Sequence, residues 1–173
     1  MIRNKIRKLK YFIKGKILKL RYKNIGKNLI IKENSKIEVG KLQCGDNVTI
    51  FENVHFWGTG EIIIGNNTAI GEGTIIFAKE KIFIGNDCLI AGQCYIIDAD
   101  HGIDNSMPIR LQNMVSNPIC INDDVWIAAG AKVLKGVNIG KGAIIGAMGV
   151  VSKNVESNSI NVGIPTRKIG ERV

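Results

Sequence analysis

At 173 residues the chain has length for one domain with an arm, and an aromatic share of only 6% suits thin stacked layers better than a globule built on large rings. The net charge of +9 is concentrated in residues 1–23, which hold ten Lys/Arg and no Asp/Glu; the remainder holds 14 basic and 15 acidic residues, which excludes a nucleic-acid surface on the body. No apolar run reaches the ~18 residues of a transmembrane helix, and the basic start lacks the apolar core and small-residue cleavage site of a secretory signal.

The arm comes first. Ile2, Ile6, Leu9, Phe12, Ile13, Ile17 and Leu20 recur near helical spacing with Lys and Arg between them, which predicts a basic amphipathic helix broken at Gly15. Such a helix suits the surface of an anionic membrane, or it caps the open first coil of whatever follows.

From residue 24 onward the chain repeats every six residues. IGKNLI (25–30) and CGDNVT (44–49) begin the pattern. IGNNTA (64–69), IGEGTI (70–75) and IFAKEK (76–81) sharpen it, and after a two-residue slip it resumes as IGNDCL (84–89) and IAGQCY (90–95). A later series runs INDDVW (121–126), IAAGAK (127–132), VLKGVN (133–138), IGKGAI (139–144) and IGAMGV (145–150). In each hexad an aliphatic residue points inward and stacks on its equivalent one coil away. Gly or Asn beside it suits a tight corner with positive φ, and a small or β-branched fifth residue fits a narrow interior. Three hexads make one turn of a triangular prism of about 18 residues, so residues 24–173 form an all-β parallel β-helix of about six to seven coils.

One segment breaks the phase. Residues 97–118 abandon the hexads and carry Asp98, Asp100, His101, Asp104, Arg110 and two prolines; an irregular excursion of this length from a regular solenoid marks a functional loop. Imidazole, with an ordinary pKa of ~6.5, can take up and release a proton near neutral pH. His101 is therefore the candidate general base, with Asp98 or Asp100 as partners able to orient its ring. The competing reading is a loop histidine with structural hydrogen bonds, and three carboxylates near a turn also commonly form Asx-turns. The other histidine, His55, sits between aromatics in NVHFWG and reads as structural, or as a wall of an acceptor site.

Cys44, Cys88, Cys94 and Cys120 form no CxxC pair, and three of them stand where the repeat wants small apolar residues, which predicts buried thiols in a reducing cytoplasm. Gly136–Lys141 has neither the spacing nor the Ser/Thr of a phosphate-binding loop. Two histidines are too few for a three-histidine zinc site, so no metal is expected.

The hexads, the histidine in IIDADHGID, the run VWIAAGAKVLKGVNIGKGAIIGA and the ending VGIPTRKI together resemble the hexapeptide-repeat acetyltransferases, nearest to those that O-acetylate sugars and polysaccharides. The resemblance spans about residues 25–169. It implies a left-handed β-helix, whereas the general rule for parallel crossovers favours the opposite hand. It also implies a cytoplasmic homotrimer with acetyl-CoA lying in a groove between subunits, peripheral to the inner membrane face if the arm binds lipid. On that resemblance Trp126 lines the pantetheine and acyl end, the backbone amides of Ala128 and Ala129 face the thioester, and Ala147 lies beside the pantetheine arm. Ser152, Lys153 and Arg167 meet the phosphates. This chain departs from the family pattern at Ala128 and at Met148, where glycine is usual. Transfer to an antibiotic, to serine or to a sugar amine is the enzymatic alternative. A non-catalytic β-helix scaffold or binding module is the other.

Overall fold

A computed structural model describes residues 13–173 of the protein, and the hexads close into a left-handed parallel β-helix of about seven coils. Short parallel strands stack coil on coil along three faces. One face carries the column Ile31, Ile50, Ile70, Ile90, Ile127, Ile145 and Asn161, each residue in register with the next. Ile64, Ile84, Ile121 and Ile139 on a second face, and Phe56, Ile76, Ile96, Val133 and Val151 on the third, are at most 1% exposed. At ~1.5–3 kcal/mol for each buried side chain, these columns dominate the stabilisation. Between them stand small residues such as Val54, Thr74, Cys94 and Ala131, all buried. The Thr74 hydroxyl donates to the Ala91 carbonyl at 3.0 Å, so its burial leaves no polar group unpaired.

The second hexad position holds glycine for a reason other than the one its sequence suggests. Positive φ occurs at the fourth position instead: Asn28, Asn47, Asn67, Asp87 and Met148 all adopt φ between 55° and 59°. Asn and Asp tolerate that region because their short side chains bond locally. At Gly65, in the second position, the neighbouring coil leaves no room: a Cβ would stand 2.6 Å from the Asn86 amide nitrogen.

The early coils repeat every 20 residues because one corner is wider. Phe56 to Ile64 and Ile76 to Ile84 each take eight residues where later coils take six, and Gly58 turns this corner at φ 113°. In the next coil the same corner opens into the excursion. It is an antiparallel hairpin of Ala99–His101 and Met114–Ser116, with a 3-10 turn at Ile109–Leu111 in the connection. Ile97 still pairs with Phe77 in the stack, so the departure begins at Asp98.

The described part of the arm is a helix over 13–21 that runs unbroken through Gly15; the expected apolar positions Ile2, Ile6, Leu9 and Phe12 lie outside the described residues. Gly15 lies close against the first coil, where a Cβ would stand 2.7 Å from the Leu29 carbonyl oxygen. Leu18 packs on the core, and the buried Tyr22 donates its hydroxyl to the Val39 carbonyl at 2.7 Å. The helix thus covers the end of the solenoid. Among the described residues no helix is long and apolar enough to cross a membrane.

Candidate active site

His101 ends the first strand of the hairpin, opposite Met114, with its side chain exposed. It lines a cleft of about 400 Å³ with Trp57, Phe77, Tyr95, Asp100 and Met114. Trp57 and Phe77 come from successive coils in register, their ring centroids 4.3 Å apart and tilted by 51°. Regular stacking has therefore built an aromatic wall beside an imidazole. Among the described residues no side chain hydrogen-bonds the His101 ring.

The three carboxylates of the loop have separate posts. Asp98 is fully buried, and its oxygens accept from the backbone amides of Lys79 at 2.6 Å, Glu80 at 2.9 Å and Lys81 at 2.7 Å. Those amides belong to the wide corner of the preceding coil, where no ladder partner serves them. Asp98 is thus engaged in fixing the root of the hairpin. Asp100 lies in the cleft wall and pairs with Lys135 at 3.2 Å. Asp104 accepts the Ser106 amide at 2.7 Å in an Asx-turn, and the Ser106 hydroxyl, with this amide second, holds its carboxyl below the usual range. The second hairpin strand is tied down as well, with the Ser116 hydroxyl donating to Glu80 at 2.8 Å. His101 therefore projects from a hairpin clamped to the coil before it and, through Lys135, to the coil after it.

His55 sits one step behind the cleft. Its ring stacks on Trp57 at 6.1 Å and its Nε2 faces the Glu38 carboxylate at 3.2 Å. Trp57 lines the cleft and His55 does not.

None of the seven residues assigned to acetyl-CoA lines the His101 cleft. Trp126 stands on another face, in register between Leu89 and Ile144, and both Trp126 (46% exposed) and Leu89 (51%) offer apolar surface to solvent. The Ala128 amide is already used, donating to the Ile145 carbonyl at 2.8 Å. Ala129 sits at the exposed turn, and among the described residues its amide meets no acceptor, which leaves it as the available donor of the pair. Ala147 is exposed at the equivalent corner of the next coil, beside Met148. Further along, the turn at Gly163–Pro165 folds the chain back so that the Thr166 amide donates to the Val150 carbonyl at 2.9 Å. This brings Arg167 to the end of the solenoid that carries Ser152 and Lys153, all three exposed. Lys168 is held between Glu156 and Glu171 at 2.8 Å each, and Arg172 is held by Asp124 at 2.7 Å. Among the described residues neither Lys153 nor Arg167 makes an ion pair.

Three of the four thiols are inert by position, and Cys120 is half-buried. Cys44, Cys88 and Cys94 are buried, and burial pushes the Cys44 thiol up to about 12 and the Cys88 thiol up to about 11.

Sequence reading missed Phe77, Tyr95 and Met114 as site residues. The available signal was the 20-residue spacing of Trp57 and Phe77, one early coil apart on the same outward position.

No family model matches the chain. The dTDP-4-amino-4,6-dideoxy-D-glucose acyltransferase of Escherichia coli is 31% identical over 162 residues, covering 78% of this chain and 84% of its own length. The galactoside O-acetyltransferase of Escherichia coli K12 is 28% identical over 159 residues, covering 92% and 78%. A Mycobacterium tuberculosis protein named for acetyltransferase activity is 33% identical over 142 residues; the match takes in 81% of this chain but 46% of that protein, so the chain spans less than half of it. Among solved structures, a maltose O-acetyltransferase from Clostridium difficile 630 superposes with a TM-score of 0.68 at 26% identity, covering 94% of this chain and 76% of that one. A Bacillus cereus N-acyltransferase crystallised with dTDP and 3-hydroxybutyryl-CoA shares the fold, with a TM-score of 0.78 at 23% identity and coverage of 92% and 88%.

Proposed function

We infer that this chain, which belongs to the hexapeptide-repeat acetyltransferase family, moves an acetyl group from acetyl-CoA to a hydroxyl of a sugar or polysaccharide precursor. The observation that carries the reading is His101, an exposed imidazole without a side-chain partner among the described residues, on the wall of an aromatic cleft. Aromatic faces suit the apolar faces of a sugar ring, and the clamped hairpin gives the imidazole a fixed position at the rim.

In this mechanism His101 takes the proton of the acceptor hydroxyl as its oxygen attacks the thioester carbonyl carbon. The Ala129 amide is the donor toward the charge that develops on the carbonyl oxygen. The carbon–sulfur bond then breaks, and the leaving thiolate takes up the proton from the imidazolium, so the base is regenerated. Trp126 and Ala147 flank the pantetheine, and Ser152, Lys153 and Arg167 meet the phosphates. Asp98 acts through the hairpin as a positioning residue. Asp100 is set beside the acceptor, with Lys135 holding its carboxylate. The cleft and the Trp126 face belong to different sides of one solenoid, and the exposed Trp126 and Leu89 offer an apolar strip for a neighbour. Both support a homotrimer in which each site forms between subunits.

Transfer to the amine of an amino sugar is the second reading, favoured by the similarity to the Escherichia coli dTDP-amino-sugar acyltransferase. One assay separates the two. The purified protein is incubated with acetyl-CoA and a panel of hexosides and amino sugars, and free CoA thiol is followed. Alkaline hydroxylamine then distinguishes a labile ester product from a stable amide. Acceptor-dependent thiol release that disappears in His101→Ala supports the enzyme. Absence of release with every acceptor, together with no rise in melting temperature on adding acetyl-CoA, would leave the scaffold reading standing.

A further inference from the structure

We propose that the helix over 13–21 is a two-sided device, one face closing the solenoid and the other docking the protein on an anionic phospholipid surface. The two uses of a basic amphipathic helix, capping and membrane contact, are alternatives only while its faces are undefined. At roughly 100° per residue, Gly15, Leu18 and Tyr22 fall on one side, and these are the residues that meet Leu29, the core and Val39. Ile13, Ile17 and Leu20 fall on the opposite side, and they are 45%, 59% and 88% exposed. A solvated helix back would ordinarily be polar, so three aliphatic side chains at i, i+4 and i+7 facing away from the body are unexplained by capping.

Charge selects the occupant. By the same geometry Lys16, Lys19 and Lys23 border the apolar stripe on one side, and Lys14 and Arg21 border it on the other, where they also donate to the Lys32 and Ile37 carbonyls; all five are exposed. Over residues 13–36 the chain carries eight Lys/Arg and one acidic residue, Glu33, while the body beyond residue 23 is close to neutral. An apolar ridge between two cationic borders matches the layering of a bilayer face, where acyl chains lie beneath anionic headgroups. Because Gly15, Leu18 and Tyr22 fix the helix on the body, the ridge is held ready and needs no folding on contact. The sequence continues the same apolar spacing upstream at Ile2, Ile6 and Leu9.

The test is cosedimentation of the full chain with vesicles of phosphatidylcholine alone or mixed with phosphatidylglycerol. Binding is expected to the mixed vesicles, weak to phosphatidylcholine alone, and reduced by high salt. Two variants keep the docking residues Gly15, Leu18 and Tyr22 in place: Ile17→Glu with Leu20→Glu on the ridge, and Lys23→Glu on its border. Each is expected to weaken binding by at least about tenfold while the thermal melt stays at the parent value. Equal binding to the two vesicle types, or unchanged binding by both variants, would overturn the proposal. So would a ridge variant that changes the oligomeric state by light scattering and leaves vesicle binding as it was, because the ridge would then belong to a second copy of the chain.

Discussion

The Asp98 carboxylate accepts the Lys81 amide at 2.7 Å, and by this bond the hairpin bearing His101 is fastened to the coil beneath it. Two more amides, those of Lys79 and Glu80, converge on the same buried side chain. At this corner the chain has two residues more than a hexad allows, and the buried Asp98 carboxylate is the acceptor that these N–H groups find.

Asp98→Asn is therefore expected to be costly although it is nearly isosteric. The amide side chain places an NH2 group against backbone donors and gives up the charge, at a cost of about 2–4 kcal/mol. Denaturant melts should show that loss, and acetyl transfer should fall with it because the hairpin is no longer held. Asp100→Asn gives a useful contrast. It removes only a half-exposed ion pair with Lys135, so stability should change by less than about 1 kcal/mol.

His101→Ala should behave in the opposite way to Asp98→Asn. The side chain is exposed and carries no packing, so the melt should hardly move, whereas turnover should drop by ~10²–10⁴ if the imidazole is the base. Binding of acetyl-CoA, read as thermal stabilisation, should persist in the variant. A loss of that stabilisation would mean that His101 serves the donor and not the acceptor.

Lys153→Ala and Arg167→Ala should each raise the KM for acetyl-CoA by about threefold, the effect of one exposed charge on a phosphate, and leave kcat nearly unchanged. The two should add, and added salt should erase most of the difference. Lys168→Ala is the control, because Lys168 is already engaged by Glu156 and Glu171. Equal effects at all three positions would indicate a general loss of positive charge.

The fold was legible because its signal is short-range. Ile64, Ile70 and Ile76 stand six apart, and the same interval returns at Ile121, Ile127 and Val133. What stayed hidden lies one coil away and so about 20 residues off in sequence. Nothing near Gly65 announces that its constraint is the Asn86 amide, and nothing near Asp98 announces three amides at 79–81. Gly15 reads as a helix breaker because its propensity is poor, yet the helix continues through it so that the backbone can approach Leu29. The excursion that carries His101 was legible from the break in the repeat. The aromatic wall beside it was not, since Trp57 and Phe77 meet only when two coils stack.

Gly58→Ala should test the wide corner. The residue sits at φ 113°, and a Cβ there would collide with the Ala78 carbonyl. Both the backbone conformation and the steric clash oppose alanine, so the variant should lose at least about 2 kcal/mol. Trp57 is its neighbour, so acceptor KM should rise more than acetyl-CoA KM. A Gly58→Ala protein with the parent melting point would show that the corner relaxes freely.

The buried thiols give a pH dependence whose sign is fixed by burial. Cys44 is raised from the ordinary value of 9.0 to about 12, and Cys88 to about 11. The unfolded chain releases these protons from about pH 9 upward, while the folded chain keeps them. The folded-state values are the higher ones, so the full stability is present below pH 9 and declines as pH rises toward 11–12. For Cys44 alone the slope is about 1.4 kcal/mol per pH unit across that window. Urea melts of the parent and of Cys44→Ala between pH 8 and pH 10.5 would expose it. The variant starts lower because of the cavity it leaves, but its stability should fall less steeply with pH. Parallel slopes would mean that the Cys44 thiol ionises inside the folded solenoid, and that the interior at this coil admits water.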